Sequence, residues 1–464
     1  MAGMTETSVP AKATALPRVL GTRDLVLMNI AAIVALRWLA TAAKLGPSSL
    51  ALWILGLIIF FVPVALVVLE LNARLPGEGG LYLWTREAFG DFHGFIAGWT
   101  YWISNLVFFP TSLLFAAGVA VYVAGNRWIG LAEHTTYNAV FALTILWGAT
   151  WLNIAGLRRA KWLQNIGGIA TWTAAALIVI AGVVSWQHFG PATAVTAANI
   201  APDLGSVATL STLATIALAY QGFELGPILG GEIRDPTRQI PRAMLISGLA
   251  IAGIYIAGTA ALLIALPAAQ IDLIGGIPQA MAAVGERLGF PIFGPLAAIL
   301  IAVGSIGGIG AWMTGTARLP YVVGVERYLP AALSAIHPKF GTPYVALLTQ
   351  GTLTTLILWG ALSRSTIHDA FVILLDMTVI LGFIPLLYMF VSLPVIARGS
   401  NRRSIVRWLA CTVGFATTLL AIVTSTIPPA ETPNPRLFVL KVVGGSLVLI
   451  AAGLLFFFLS RGRD

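Results

Sequence analysis

Long runs of apolar residues, each bounded by charged residues, Pro or Gly, recur along the whole chain. A membrane-spanning helix needs about 20 such residues, because the hydrocarbon core of a bilayer is about 30 Å thick. Of the 464 residues, 58% are hydrophobic and only 10% are charged, which is too little polar surface to cover a water-soluble particle. The pattern therefore predicts an all-α polytopic membrane protein that is surrounded by the lipid bilayer.

Twelve apolar windows are long enough to predict twelve transmembrane helices. In the first half of the chain they fall at about 24–43, 48–71, 92–125, 137–156, 162–186 and 206–230. In the second half they fall at about 243–267, 291–317, 342–362, 368–396, 405–427 and 437–460. Residues 1–23 are small and polar without an apolar core, so we predict a cytosolic tail and not a cleaved signal peptide. Residues 24–464 then form a single membrane domain.

The distribution of Lys and Arg predicts the orientation. The formal net charge is +9, and the basic residues stand at the ends of apolar runs, which argues against nucleic acid as a partner. With the amino terminus inside, the cytosolic side carries about four times as many Lys and Arg as the other side. We predict an integral multi-pass protein of the plasma (inner) membrane with both termini in the cytosol. The single cysteine, Cys411, excludes an intramolecular disulfide.

Four ionisable residues lie within apolar windows. A charge at the bilayer centre costs at least ~2.5 kcal/mol, so each should face a cavity or a partner. Arg37 could pair with a substrate carboxylate or with Glu224 or Asp376, or it could be a structural residue that reaches toward the interface. Asp376 is either a coupling carboxylate or an acid held by hydrogen bonds, and Glu224 is the other coupling candidate. Glu70 is expected to anchor the start of a cytosolic loop.

The sixth window is interrupted by residues that suit neither lipid nor a regular helix. The run 219–227 contains an amide, a carboxylate, two glycines and a proline, with its polar centre at Tyr220, Gln221, Gly222, Phe223 and Glu224. Unwound backbone is tolerated at membrane depth where protein or water satisfies its N–H and C=O groups, which can then bind a polar solute. Alternatively, the glycines only permit close helix packing. A matching break in the first window, near Arg37, would complete a binding site at the membrane midplane.

Aromatic residues of the third and eighth windows are candidates for a second wall of this site. Tyr101 and Trp102 follow a Gly-containing segment, and Trp312 follows the glycine-rich run 304–310. Most membrane aromatics belong to the core or to interfacial belts, so the residues alone leave this role open. The sequence has no Walker motif, zinc-ligand spacing or nucleophile elbow, so we expect neither an enzyme nor a bound cofactor or metal.

Two motifs resemble those of the amino acid-polyamine-organocation superfamily of transporters. The first is PGEGGLYLW at 76–84, and the second is AYQGFE at 219–224 followed by GEIRDPTRQIPRA at 231–243. The resemblance covers essentially the whole chain and implies the LeuT-type fold with 5+5 inverted repeats. The repeats would be 24–186 and 206–396, and 405–460 would add two further helices. In this fold the substrate lies between the broken first and sixth helices.

The resemblance also assigns residues to the substrate site. Tyr101 and Trp312 match cavity-facing aromatics of amino acid exchangers, while Leu218 replaces a gating aromatic whose place Phe223 could take. The family usually has Gly-Ser-Gly in the first helix, but Ala32-Ile33-Val34 stands here, and Arg37 just beyond is the candidate carboxylate ligand. The substrate-binding candidates are Ala32, Ile33, Val34, Arg37, Tyr101, Tyr220, Gln221, Gly222, Phe223, Glu224 and Trp312.

These observations predict a secondary active transporter of amino acids that works by alternating access, with exchange as a candidate mode. Glutamate/GABA exchangers of the family also lack the glycine motif, so an acidic amino acid or its product is the leading substrate class. Thr171 stands where some proton-coupled relatives have a lysine, which disfavours that route of proton symport. A polyamine or amine transporter of the same fold and a transport-silent amino acid sensor are the alternatives. A monomer and a homodimer are both compatible with the sequence.

Overall fold

The described part of the chain is mostly helical. A computed structural model describes residues 18–76, 79–325, 328–362, 367–398, 405–428, 432 and 434–461. Most of the predicted cytosolic tail, residues 1–17, and part of the first family motif, Gly77 and Glu78, lie outside the described residues. Within the described ranges the β-structure is limited to an isolated bridge between Leu20 and Ile233.

Eighteen helices are labelled here in chain order. In the first half they are α1 (Thr22–Ile33), α2 (Arg37–Ala43), α3 (Ser48–Arg74), α4 (Leu81–Phe89), α5 (Asp91–Ala120), α6 (Thr135–Ile154), α7 (Leu157–Phe189), α8 (Ala197–Ile200) and α9 (Val207–Ala219). In the second half they are α10 (Leu225–Ile228), α11 (Pro236–Ala265), α12 (Gly276–Leu288), α13 (Phe293–Thr316), α14 (Arg318–Val325), α15 (Tyr344–Leu362), α16 (Ile367–Ile396), α17 (Ile405–Thr424) and α18 (Pro435–Ser460).

Nine helices in the described part of the chain are long and apolar enough to cross a membrane, and the bent pair α1–α2 raises this number to ten. Each of the ten coincides with a predicted window to within several residues. The two other windows correspond to α6 and to the short apolar helix α9. The prediction of an all-α multi-pass membrane protein is therefore confirmed, while twelve spans and inverted repeats stay predictions.

Both helix breaks expected from the sequence are present. The axes of α1 and α2 differ by 44° across Val34–Leu36. Helix α9 ends at Ala219, and the chain continues without regular helix until α10 begins at Leu225. Gly222 has φ 140°, a conformation that residues with a Cβ rarely adopt, which explains the glycine at this position. The first break has no Gly or Pro, so its cause lies in tertiary contacts.

Helix α5 forms the centre of the bundle. In an apolar 18-residue stretch of the span that contains it, 83% of the residues are buried inside the protein, whereas the share is only 22% in such a stretch of Pro435–Ser460. The glycines of α13 bring this helix close to its neighbours: a Cβ on Gly307 would overlap the backbone of Gly167 in α7, and one on Gly308 would overlap the carbonyl oxygen of Ala31. Small residues allow such close helix approach in membranes, so α13 is held firmly against α1 and α7.

Ionic and backbone contacts close the end of the bundle that we predict to be cytosolic. The amides of Val19 and Leu20 donate to the Glu232 carbonyl oxygen at 2.9 and 3.1 Å. The Glu232 carboxylate forms a buried ion pair with Arg318, with Nε 2.6 Å from Oε1. The ammonium group of Lys161 in α7 lies 3.5 Å from the carboxylate of Asp24 in α1. These contacts join the first described residues, through Glu232, to α14, and they join α1 to α7.

Candidate functional site

A small cavity with both polar and apolar walls lies between the two helix breaks. Its volume is about 20 Å³, which is space for about one water and is smaller than an amino acid. The apolar lining residues are Ala32, Ile33, Ala35, Trp38, Phe108, Leu218 and Trp312. The polar lining residues are Ser104, Asn105, Gln221 and Thr378. Lining side chains must therefore move before a substrate can occupy the cavity.

Side chains from other helices bind carbonyl groups at the break in the first span. The last carbonyl groups of a helix lack intrahelical partners, and in lipid they must be satisfied by protein. The Trp312 indole Nε1 donates to the Ala32 carbonyl oxygen at 2.8 Å, and the Tyr255 hydroxyl lies 2.5 Å from the Ile33 carbonyl oxygen. The predicted site residue Trp312 therefore has a structural contact with the break as well as a place in the cavity wall.

Tyr255 contacts both breaks. Its hydroxyl also lies 2.9 Å from the carbonyl oxygen of Ala219, the last residue of α9. The ring is fully buried and stacks on Trp53 with a centroid distance of 4.4 Å. Sequence reasoning missed Tyr255, because a lone tyrosine in an apolar window is usually a core residue. Because one hydroxyl hydrogen serves two carbonyl oxygens, the tyrosine links the positions of α1 and α9.

Glu224 occupies the second break. Its Oε1 accepts a hydrogen bond from the Tyr101 hydroxyl at 3.0 Å, and its Oε2 accepts from the Gly222 amide at 3.1 Å. The carboxylate is completely buried. The side chain thus satisfies the Gly222 amide that the break leaves without a helical partner. The predicted pair Tyr101 and Glu224 thus forms a direct contact behind the cavity wall.

Arg37 is a buried cation at the first break. Its side chain is 2% exposed, and Nη1 donates to the Ser112 hydroxyl at 3.1 Å. The guanidinium carbon lies 4.3 Å from the ring centroid of Trp38 and 4.8 Å from that of Phe108, two residues of the cavity wall. Nε and Nη2 have no hydrogen-bond partner, and Arg37 forms no ion pair with any carboxylate of the described residues.

The polar wall was not predicted from the sequence. The Ser104 hydroxyl and one Asn105 amide N–H both donate to the Tyr101 carbonyl oxygen at 2.8 Å. The Thr378 hydroxyl donates to the Leu374 carbonyl oxygen at 2.7 Å, and the Gln221 amide donates to the Gly382 carbonyl oxygen at 3.3 Å. With their hydrogens committed, the two hydroxyl groups can only accept hydrogen bonds from a solute. Of these four residues, only Gln221 belonged to the predicted site.

Several predicted residues lie away from the cavity. Tyr220 and Phe223 both stack on Phe61, each with a centroid distance of 4.6 Å, and neither lines the cavity. Asp376 forms a side-chain hydrogen bond with Ser425 beyond α17. Glu70 forms ion pairs with Arg74 and Arg407, which agrees with the expected anchoring role.

Val34 lies at the first break without lining the cavity, whereas its neighbours Ile33 and Ala35 do line it. Gly222 stands within the second break, and a Cβ there would press on Ile33 and Trp312. The two breaks therefore approach each other closely at this point.

Two helix breaks beside a small cavity, in a bundle of helices apolar enough to cross a membrane, are typical of membrane transporters for small polar solutes. Residues 20–448 match the sequence profile of the amino acid permease family. The chain belongs to this family, which confirms the resemblance to the amino acid-polyamine-organocation superfamily. It is a transporter and not an enzyme.

Three relatives illustrate the range of the family. The uncharacterized transporter lpg1691 of Legionella pneumophila is 30% identical over 445 residues, which cover 93% of this chain and 95% of the relative. The serine/threonine exchanger SteT of Bacillus subtilis is 30% identical over 334 residues, or 69% of this chain and 70% of the relative. A glutamate/gamma-aminobutyrate antiporter of Lactococcus lactis is 24% identical over 399 residues, covering 82% of this chain and 78% of the relative.

Proposed function

We propose that the protein exchanges amino acids across the membrane by alternating access, with the substrate held between the two helix breaks. The observation that carries the proposal is the buried, unpaired guanidinium of Arg37 beside the cavity wall. A buried charge without a counter-charge is costly, so an anion that binds there during the cycle gains affinity. The α-carboxylate of an amino acid is such an anion.

The arrangement of charge around the breaks suits a zwitterion. Arg37 provides positive charge at the first break, and Glu224 provides a carboxylate at the second. An amino acid with its carboxylate toward Arg37 and its ammonium group toward Glu224 would neutralise both. A polyamine offers no group for Arg37, which disfavours the amine alternative. Glu224 is then also the candidate for coupling transport to protons.

The polar residues of the cavity wall favour some substrate side chains over others. Ser104 and Thr378 can only accept hydrogen bonds, so a side chain with a hydroxyl or amine donor fits this wall better than a second carboxylate does. We therefore favour a small neutral amino acid, such as those in the name of the serine/threonine exchanger, over the acidic class expected from the sequence. Glutamate remains the competing substrate to include in a test, because another relative is named for it.

The decisive experiment is uptake of a radiolabelled amino acid panel into proteoliposomes, with and without internal amino acid and with and without a proton gradient. We expect uptake that requires internal substrate and prefers serine or threonine over glutamate. Arg37→Ala should reduce uptake at least about tenfold, the equivalent of ~1.4 kcal/mol. Ser112→Ala removes only the partner of Nη1 and serves as the matched control. Absence of uptake for every amino acid and amine would contradict transport and favour the sensor alternative.

A further inference from the structure

A groove of about 390 Å³ lies on the outside of the bundle between α3, α16 and α17, remote from the central cavity. Its apolar walls are formed by Leu66, Val67, Leu69, Leu393, Val406 and Ala410. Glu70, near the end of α3, and Arg407, in the first turn of α17, line the same end of the groove. It is thus apolar along its length and ionic at one end.

The ionic end has an excess of positive charge. The Glu70 carboxylate binds two arginines: Arg74 Nη2 lies 2.8 Å from Oε1, and Arg407 Nη2 lies 2.7 Å from the same oxygen. Arg407 Nε donates to Oε2 at 3.0 Å. A guanidinium carries five N–H donors, so each arginine keeps donors for a further acceptor. The three side chains sum to a single positive charge.

The groove opens toward the lipid and its ionic end lies where headgroups are expected. Leu66 is 40% exposed and Val406 is 55% exposed, although both are large apolar residues. Arg74 is the last residue of α3, and Arg407 lies in the first turn of α17, so both stand at the ends of membrane-spanning helices. Basic pockets between helices at the cytosolic side of a membrane are suited to anionic lipid headgroups.

We propose that this groove binds one anionic phospholipid. An acyl chain lies along the wall formed by Leu66, Val406 and their neighbours, and the phosphate accepts hydrogen bonds from Arg74 and Arg407. The single net positive charge matches one net negative charge, which favours phosphatidylglycerol over the zwitterionic phosphatidylcholine. A soluble anion would leave the apolar length of the groove unused, so a lipid is the better ligand.

Native mass spectrometry of the full-length protein, with phosphatidylglycerol or phosphatidylcholine of identical chains, tests the proposal. We expect phosphatidylglycerol to be retained preferentially and inorganic phosphate not to displace it. Arg407→Ala removes the net positive charge of the three side chains and should weaken phosphatidylglycerol binding about fivefold. Glu70→Gln doubles that charge and should strengthen binding about fivefold. Arg158→Ala changes an exposed arginine at the start of α7 and should leave binding unchanged.

The opposite signs of the two variants separate lipid binding from a structural role. If the Glu70–Arg407 pair only joins α3 to α17, both variants will lower thermal stability and neither will change the preference for phosphatidylglycerol. Equal retention of the two lipids by the wild-type protein would overturn the proposal. Displacement by inorganic phosphate would show an anion site without a place for the acyl chain, which also overturns it.

Discussion

Tyr255 places a single hydroxyl group between the carbonyl ends of two helices that are separated by almost two hundred residues of sequence. The hydroxyl lies 2.5 Å from the Ile33 carbonyl oxygen and 2.9 Å from that of Ala219. A hydroxyl has one hydrogen, so a strong bond to one carbonyl weakens the other. Relative movement of α1 and α9 during transport would therefore shift the hydrogen from one helix to the other.

Tyr255→Phe should keep the stack on Trp53 and lose both hydrogen bonds. We expect an approximately tenfold loss of uptake, mainly through a higher KM, because the variant removes the side-chain donor to the buried Ala219 carbonyl oxygen, at a cost of about 1–3 kcal/mol, and leaves the Ile33 carbonyl oxygen with the Ala35 amide as its donor. Tyr220→Phe is the matched control, since the Tyr220 hydroxyl contacts only the Trp53 carbonyl oxygen at 3.3 Å. An equal loss in both variants would argue that Tyr255 acts only through general packing.

Glu224 gives a second prediction at this scale. Glu224→Gln keeps one oxygen, which can accept from the Gly222 amide while the new amide N–H donates to the Tyr101 hydroxyl oxygen, but it cannot change its charge with pH. If Glu224 carries the coupled proton, uptake driven by a proton gradient should be lost in the variant, while exchange between internal and external substrate persists. Asp376→Asn is the control, because Asp376 contacts Ser425 away from the cavity. Gradient-driven uptake that persists in Glu224→Gln would contradict this role.

A site residue could be predicted only where it differs in character from its neighbours along the sequence. Glu224 and Gln221 were evident because polar side chains next to glycine stand out in an apolar window. Tyr255 was not evident, because its partners are carbonyl groups on other helices, and Asn105 was not evident, because its place in the cavity wall depends on packing against other helices. No periodicity along α11 or α5 indicates those partners.

At the scale of elements, the two breaks have different origins. The second follows from Gly222, whose φ of 140° is unsuited to other residues. The first consists of Val34, Ala35 and Leu36, which are compatible with a continuous helix, so only the resemblance to a family pointed to a break. Hydrogen bonds from Trp312 and Tyr255 to the end of α1 stabilise it in the folded protein.

The contact between α13 and α7 gives a prediction about an element. Gly307→Ala would place a methyl group against the Gly167 backbone, where there is no flexible side chain to move aside. Overpacking of this kind costs typically about 1–3 kcal/mol, so the apparent melting temperature in detergent should fall. Gly360→Ala in α15 is the control, because no atom lies within 4 Å of the added methyl group. Equal melting temperatures for the two variants would show that α13 can withdraw from α7.

At the scale of the whole molecule, the structure is closed around the central cavity. About 20 Å³ is available between the breaks, and the Glu232–Arg318 ion pair with the Leu20–Ile233 bridge closes the end predicted to be cytosolic. The apolar windows predicted the helices and their order. They could not predict how far the bundle is closed, because this depends on contacts among residues at the ends of helices.

Loss of the Glu232–Arg318 ion pair should favour opening of the bundle at the end predicted to be cytosolic. In a Cys411→Ser background, Ser104→Cys places the protein's only thiol in the cavity wall. We expect Arg318→Ala to increase the rate of labelling of Cys introduced at 104 by a membrane-impermeant thiol reagent applied from the cytosolic side. Arg158→Ala, which alters an exposed arginine, should leave the rate unchanged. An unchanged rate in Arg318→Ala would mean that other contacts determine closure.

The contrast between the deeply buried α5 and the peripheral α18 has a consequence for how the sequence can drift over evolutionary time. Lipid chains are a fluid solvent that accepts any apolar side chain, so most positions of α18 constrain only hydrophobicity. Positions of α5 contact other helices on nearly every side and constrain shape as well. Replacing apolar residues by other apolar residues should therefore have almost no effect in α18 and should be harmful in α5. The sequences of the two helices would then change at very different rates.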